Sequence, residues 1–154
     1  MDRGQPKPCR SACPLNAVLE TLGDSWSLLV VRDLMFKGRS SYRAFLEAEE
    51  GIATNILSDR LRRLERWGVI ERRRDPDDGR RIIYGLTEKG LDLAPVLLEM
   101  IVWGAKHYRT AAPPAVIRRM TEDRERFLKQ LRASLTKKRE PTPPAARGRR
   151  THGR

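Results

Sequence analysis

No stretch of this sequence is long and apolar enough to span a membrane: the densest, LAPVLLEMIVWGA at residues 93–105, is too short and carries Glu99. The opening MDRGQPKPCRSACP lacks the apolar centre of a signal peptide, so a cytoplasmic chain with reduced thiols is expected. Histidine is scarce, with His107 and His152 the only two. The sequence has no Walker-type GxxxxGKS/T loop, no HExxH and no GxSxG, so catalysis is left without its usual residues. Cys9, Cys13 and His107 are three possible ligands, but they lack the paired spacing of a zinc knuckle. No catalytic residue, no metal and no other cofactor is therefore expected, and the chain does not read as an enzyme. Aromatics are few, three each of Trp, Tyr and Phe; with 34% charged residues, that suits a helix-rich soluble protein.

Positive charge is what the sequence has in excess, a net +12 over 154 residues. Half of it falls in residues 137–154, where seven cations face Glu140 alone. The rest is spread along residues 1–136, so charge by itself does not identify a polyanion partner and the pattern has to decide. The length suits one compact domain with spare chain at its ends.

Pro14 suits a first helical position, and Leu15, Val18, Leu19 and Leu22 follow at helical spacing before Gly23 stops the run. Asp24 or Ser25 can cap a second, almost continuously apolar helix that ends at Gly38 and should be buried. Ser40 or Ser41 starts a third, with Tyr42, Phe45 and Leu46 on one face, which Gly51 should break. A fourth begins at Thr54 with Leu57, Leu61 and Leu64 as its inner stripe. On this reading Gly51, Ile52 and Ala53 alone separate helices three and four, the loop length of a helix-turn-helix.

At about 100° per residue, Asn55, Asp59, Arg62 and Arg66 fall opposite the leucines, with Thr54 and Ser58 flanking them. A helix in the major groove needs short polar groups near its amino end to reach base edges, and arginines that fork onto guanine or grip phosphate. An ordinary solvated face of Arg and Asp would look similar for this helix in isolation. The next segment adds to it. Residues 69–74 and 80–86 read as two strands around DPDDG, with Ile82, Tyr84 and Leu86 alternating inward. A hairpin directly after a recognition helix is a wing, and Arg80 and Arg81 at its tip are candidates for the DNA backbone. Nearby carboxylates at Glu71, Asp75, Asp77 and Asp78 compete for the arginines of the hairpin.

CPLNAVLETLGDSW (13–26), LLVVRDLMFKGR (28–39), GIATNILSDRLRRLERWGVIERR (51–73), YGLTEKG (84–90) and the pair Trp103-Gly104 follow one another in order. Over about residues 13–108 this set resembles the HxlR-type winged helix-turn-helix transcriptional regulators. LTEKG and the DPDDGRR turn also resemble MarR regulators, while the Cys-Pro start favours the HxlR type. The resemblance implies a bacterial, dimeric, promoter-binding protein with the fourth helix in the major groove. The fold class is thus mostly α with a small β-hairpin wing: a winged helix-turn-helix with additional dimerisation helices. Two departures bear on the operator. Asp59 stands where relatives often carry glutamine, and Ser40-Ser41 replaces a more basic start to the third helix, although Ser41 can still bond a phosphate.

Thr87 can cap a fifth helix that Pro95 bends or restarts. Apolar residues wrap nearly all round residues 93–103, more than a chain this small can cover, so a symmetric homodimer is expected to bury the rest. A sixth helix is expected over residues 115–135. The boundaries are then a flexible arm at 1–12, the winged domain with its dimerisation helices at 13–108, a helical extension at 109–138, and a disordered basic tail at 139–154 that acts as a solubiliser or a non-specific DNA tether.

Cys13 precedes Pro14 at the edge of the first helix, where the helix dipole favours an oxidisable thiolate. Some relatives with the same Cys-Pro start sense oxidants or electrophiles through this cysteine, and that resemblance implies a redox-sensing role for Cys13, with Cys9 a lesser partner. A small-molecule or oxidant effector is accordingly expected. The functional expectation is a sequence-specific transcriptional regulator that recognises double-stranded operator DNA, acting as a repressor. The alternative is a non-specific nucleic-acid or protein-interaction module on the same fold.

Overall fold

The computed structural model describes residues 10–139. Most of the expected arm, Cys9 within it, and the basic tail from residue 140, including His152, lie outside the described residues.

Helix α1 is Pro14–Leu22, with Cys13 preceding Pro14 and the Gly23 N–H closing onto the Leu19 carbonyl at 2.8 Å. The Asp24 carboxylate then accepts from the Trp26 and Ser27 N–H groups, at 2.9 Å each, and from the Ser27 hydroxyl at 2.5 Å, so it caps α2 (Ser27–Arg32). The second helix does reach Gly38, but through a widened π-helical turn over Asp33–Lys37. Gly38 stops it in the left-handed region (φ 67), where a side chain would be strained.

Helix α3 is only Tyr42–Leu46, and Ser41 caps it by accepting the Ala44 N–H at 3.2 Å. The expected continuation to Gly51 is therefore corrected: Glu47–Ala53 forms the turn before α4 (Thr54–Arg66). Within that turn Glu49 and Glu50 pair with Arg39 and Arg32 at 3.5 and 2.5 Å.

Strands β1 (Ile70–Arg74) and β2 (Ile82–Leu86) pair antiparallel with Arg72 opposite Tyr84. The chain entering α3 joins their edge, as Ser41 bridges Ile83 and the Tyr84 N–H reaches the Ser40 carbonyl at 2.7 Å. Tyr84 and Leu86 turn inward as expected, but Ile82 does not: it is 41% exposed, out along the hairpin beyond the body that would cover it. Thr87 caps α5 (Glu88–Leu91), and α6 (Ala94–His107) starts afresh with Pro95 in its first turn, so the proline marks a restart. Gly90 permits this corner, because a Cβ there would lie 2.2 Å from the Val69 carbonyl oxygen.

The single helix expected over 115–135 is two, α7 (Pro114–Glu122) and α8 (Arg124–Arg139), broken at Asp123. Beyond the break α8 packs Leu128, Leu131 and Leu135 against the core, with Arg124 on Glu99 of α6 at 3.0 Å and Arg132 on Asp92 and Glu88 at 2.9 and 2.6 Å. The core lies between α2, α3, α4, the base of the hairpin and α5–α6, around Val31, Phe45, Leu57, Leu64, Ile70, Leu91 and Leu98. No helix among the described residues is long and apolar enough to cross a membrane.

Candidate nucleic-acid interface

Burial of Leu57, Leu61 and Leu64 fixes the rotation of α4 and turns its other side outward. Thr54, Asn55, Asp59, Arg62 and Arg66 are exposed there, and Ser58 is partly exposed on the flank, so the structure brings these residues together on one face. The helix begins at Ala53 with no side-chain cap and no acidic residue in its first turn, which leaves backbone N–H groups and the positive end of the dipole open to phosphate.

Two arginines of α4 are committed elsewhere. Arg63 donates to the backbone carbonyl of Glu20 and ties α4 to α1. Arg60 lies 3.2 Å from Asp24 and 3.3 Å from Asp59, so the exposed Asp59 carboxylate has a cation beside it. Burial opposes ionisation of Asp24, but the Ser27 and Trp26 hydrogen bonds and Arg60 outweigh it and hold its carboxyl below the usual range. Arg62 and Arg66, with Arg10, Glu20, Asp59, Arg63 and Trp67, line an open cleft of about 650 Å³ between α4 and α1. The Glu20 carboxyl at its rim is held below its ordinary value by the Arg10 N–H, the Arg10 guanidinium and the Asn16 amide.

The competition among charges in the wing resolves residue by residue. Asp75 and Asp78 spend oxygens on backbone N–H groups of Asp77 and Arg80, at 3.0 and 3.1 Å, shaping the turn. Arg74 donates to the Gly79 carbonyl at 2.7 Å, and Arg72 pairs with Glu65 of α4 at 3.3 Å. Arg80 and Arg81 stay at 4.0 and 3.9 Å from their nearest carboxylates, and Arg80 is 99% exposed. The tip thus presents two loosely held cations to solvent. At the start of α3, the Ser41 oxygen serves as the cap acceptor, which leaves its hydroxyl proton available to donate.

Sequence reasoning missed Tyr42, counted there only as an apolar residue of the third helix. Its phenol reaches the Thr54 carbonyl and the Ser58 hydroxyl, both at 2.9 Å. The Arg63–Glu20 tie spans 43 residues and had no local signal. Cys13 is exposed at the amino end of α1, and it is a free thiol.

A helix-turn-helix followed by a two-stranded wing, carrying short polar groups and cations on the outward side of its second helix, defines a winged-helix DNA-binding regulator of transcription. Residues 21–112 match the family described as HxlR-like helix-turn-helix, and the chain belongs to that family. The HTH-type transcriptional regulator sll1512 of Synechocystis sp. is 38% identical over 103 residues, 65% of this chain and 76% of its own length. The crystal structure of PA1607, described as a candidate transcription factor, superposes with a TM-score of 0.60 at 35% identity, covering 68% of this chain and 71% of that one. The redox regulator HypR in its oxidised form superposes with a TM-score of 0.57 at 27% identity, covering 64% of this chain and all of that one.

Proposed function

We propose that this regulator works as a homodimeric repressor in the cytoplasm, placing two copies of α4 in successive major grooves of an inverted-repeat operator and acting by binding rather than by catalysis. The observation that carries the reading is an apolar surface left uncovered on one copy. Leu15, Val18 and Leu19 of α1 are 64%, 44% and 54% exposed, and Val96, Met100 and Trp103 of α6 are 46%, 50% and 56% exposed. A surface of this kind on two helices outside the helix-turn-helix is what a second copy would bury. Two-fold symmetry then separates the paired helices by about 34 Å, one turn of DNA, and makes the operator palindromic.

Thr54, Asn55, Ser58, Asp59, Arg62 and Arg66 read or grip the groove, while Ser41, Arg80 and Arg81 hold phosphates beside it. Selection of bound fragments from genomic DNA tests this: one palindromic site, preferred over random DNA by a large ratio, supports it. Salt-sensitive binding without sequence preference would make the chain a general nucleic-acid module instead.

The signal that releases the repressor is an oxidant or electrophile at Cys13. The thiol is exposed and opens the helix that carries part of the uncovered apolar surface, and the likeness to the redox regulator HypR supports the assignment.

A further inference from the structure

The phenol of Tyr42, at the first position of α3, touches two atoms of α4. Its oxygen lies 2.9 Å from the Thr54 carbonyl oxygen and 2.9 Å from the Ser58 hydroxyl oxygen. A phenol has one proton, and a carbonyl can only accept. Tyr42 therefore gives its proton to Thr54, since two oxygens 2.9 Å apart with no hydrogen between them would repel. The other contact is then fixed in direction: Ser58 gives its own proton to the Tyr42 oxygen. Donation runs from Ser58 to Tyr42 to Thr54, and Ser58 is left with lone pairs alone on the partly exposed flank of α4.

We propose that Ser58 is a specificity-determining residue that accepts a hydrogen bond from the exocyclic amino group of adenine or cytosine in the major groove, and that Tyr42 is the positioning residue that imposes this polarity. A free serine hydroxyl rotates and serves as donor or acceptor, so it meets guanine O6, thymine O4 or a phosphate as readily as an amino group. With its proton held by Tyr42, Ser58 has nothing to offer those acceptors. Guanine and thymine are disfavoured at the base it faces, and adenine and cytosine are admitted. The proposal rests on the outward face of α4 being the base-reading surface, and its test separates the two.

Sequences are selected from random DNA with the wild-type protein and with Tyr42→Phe, Ser58→Ala, Asn55→Ala and Arg62→Ala. Wild type should show one position per half-site where adenine or cytosine is preferred over guanine and thymine, on the order of tenfold for a single hydrogen bond. Ser58→Ala should lose that preference. Tyr42→Phe keeps the ring, releases the serine proton and should admit guanine and thymine at that position alone. Base analogues test the polarity on the wild-type protein itself. At an adenine position, purine, which lacks the amino group, should bind on the order of tenfold more weakly, whereas 7-deazaadenine, which lacks the N7 acceptor, should bind as adenine does. An operator unchanged in both Tyr42→Phe and Ser58→Ala, or a loss with 7-deazaadenine, overturns the proposal. If Asn55→Ala or Arg62→Ala still alters the operator, α4 remains the reader. If none of the four variants changes the selected sequence, the reading of α4 falls as well.

Discussion

Arg32 donates to Glu50 at 2.5 Å, joining the end of α2 to the turn that leads into α4. The same guanidinium donates to Asp33 at 2.9 and 2.6 Å, and Arg39 reaches Asp33 at 3.3 Å and Glu49 at 3.5 Å. Five charged groups thus hold the turn of the helix-turn-helix against α2. The Asp33 side chain is 4% exposed and Glu50 31%, and this difference separates their energetic roles. Removing a buried partner strands the charges that faced it, so Asp33→Ala should cost about 3–5 kcal/mol, whereas the exposed end, Glu50→Gln, should cost under about 1 kcal/mol. Urea denaturation of the two variants checks the order, and equal losses would contradict it.

The same pair gives a pH dependence. The Arg32 hydrogen bond holds the Glu50 carboxyl below its ordinary range, against a smaller opposing effect of burial. A carboxyl whose folded value is depressed contributes stability that is complete above its unfolded value, about 4.3, and is lost as pH falls through the folded one. Between pH 6 and pH 3, roughly the span around that value, the denaturation midpoint of Glu50→Gln should fall less steeply than that of wild type. Parallel curves would show that the carboxylate is not stabilised by folding.

Arg62 and the wing arginines differ in geometry and should differ in effect. Arg62 stands on the outward face of α4 opposite the buried leucines, while Arg80 is almost wholly exposed at the tip. Arg62→Ala should weaken operator binding by about 1–3 kcal/mol more than binding to random DNA. Arg80→Ala should weaken both alike and lower the salt slope by about one. Deleting residues 140–154 should act as Arg80→Ala does, in proportion to the charge removed. Selectivity lost with the tail and kept without Arg62 would misplace the interface.

What could be read from the sequence follows from the range of the interactions involved. The leucine stripe of α4 and the stops at Gly23 and Gly38 are local signals, and each is where periodicity and glycine placed it. The end of α3 was misread because Gly51 looked like the nearest breaker, whereas the helix stops four residues earlier than that glycine implies, in a turn whose Glu50 pairs with Arg32, 18 residues away, a contact that no local pattern shows. Residues 115–135 read as one helix because their apolar stripe continues across Asp123; beyond the break Leu128, Leu131 and Leu135 of α8 pack against the core, a tertiary contact that no local pattern encodes. At the interface, the outward residues were legible from the wheel. The hydroxyl pairing of Tyr42 with Ser58 was not, since it joins two helices 16 residues apart.

The proposed dimer surface can be tested without touching the core. Leu19 is 54% exposed on α1, so Leu19→Glu leaves monomer packing intact and places a charge where two copies would meet. Sedimentation at micromolar concentration should show wild type as a dimer and Leu19→Glu as a monomer. Each half-site is then bound alone, and operator affinity should fall by about a hundredfold or more as the linked second contact is lost. A wild type that sediments as a monomer, or a variant that stays dimeric and binds normally, would remove α1 from the interface.

Cys13 offers the last test, because it is exposed at the start of α1, the helix proposed to meet the second copy. Diamide takes two electrons and two protons from a pair of thiols and leaves a disulfide; peroxide first gives a sulfenic acid, which condenses with a second thiol. With the second thiol from the other copy, the bond would clamp the two α1 helices, and Arg63, which holds α4 to Glu20 of α1, would carry that shift to the DNA-reading face. Diamide should therefore weaken operator binding by wild type and produce a cross-linked dimer on a non-reducing gel, with dithiothreitol reversing both. Cys13→Ser should bind the operator normally and ignore the oxidant. Equal sensitivity in the two proteins would assign the effect to another group, and equal insensitivity would leave Cys13 a structural residue and turn the search for a signal toward small molecules.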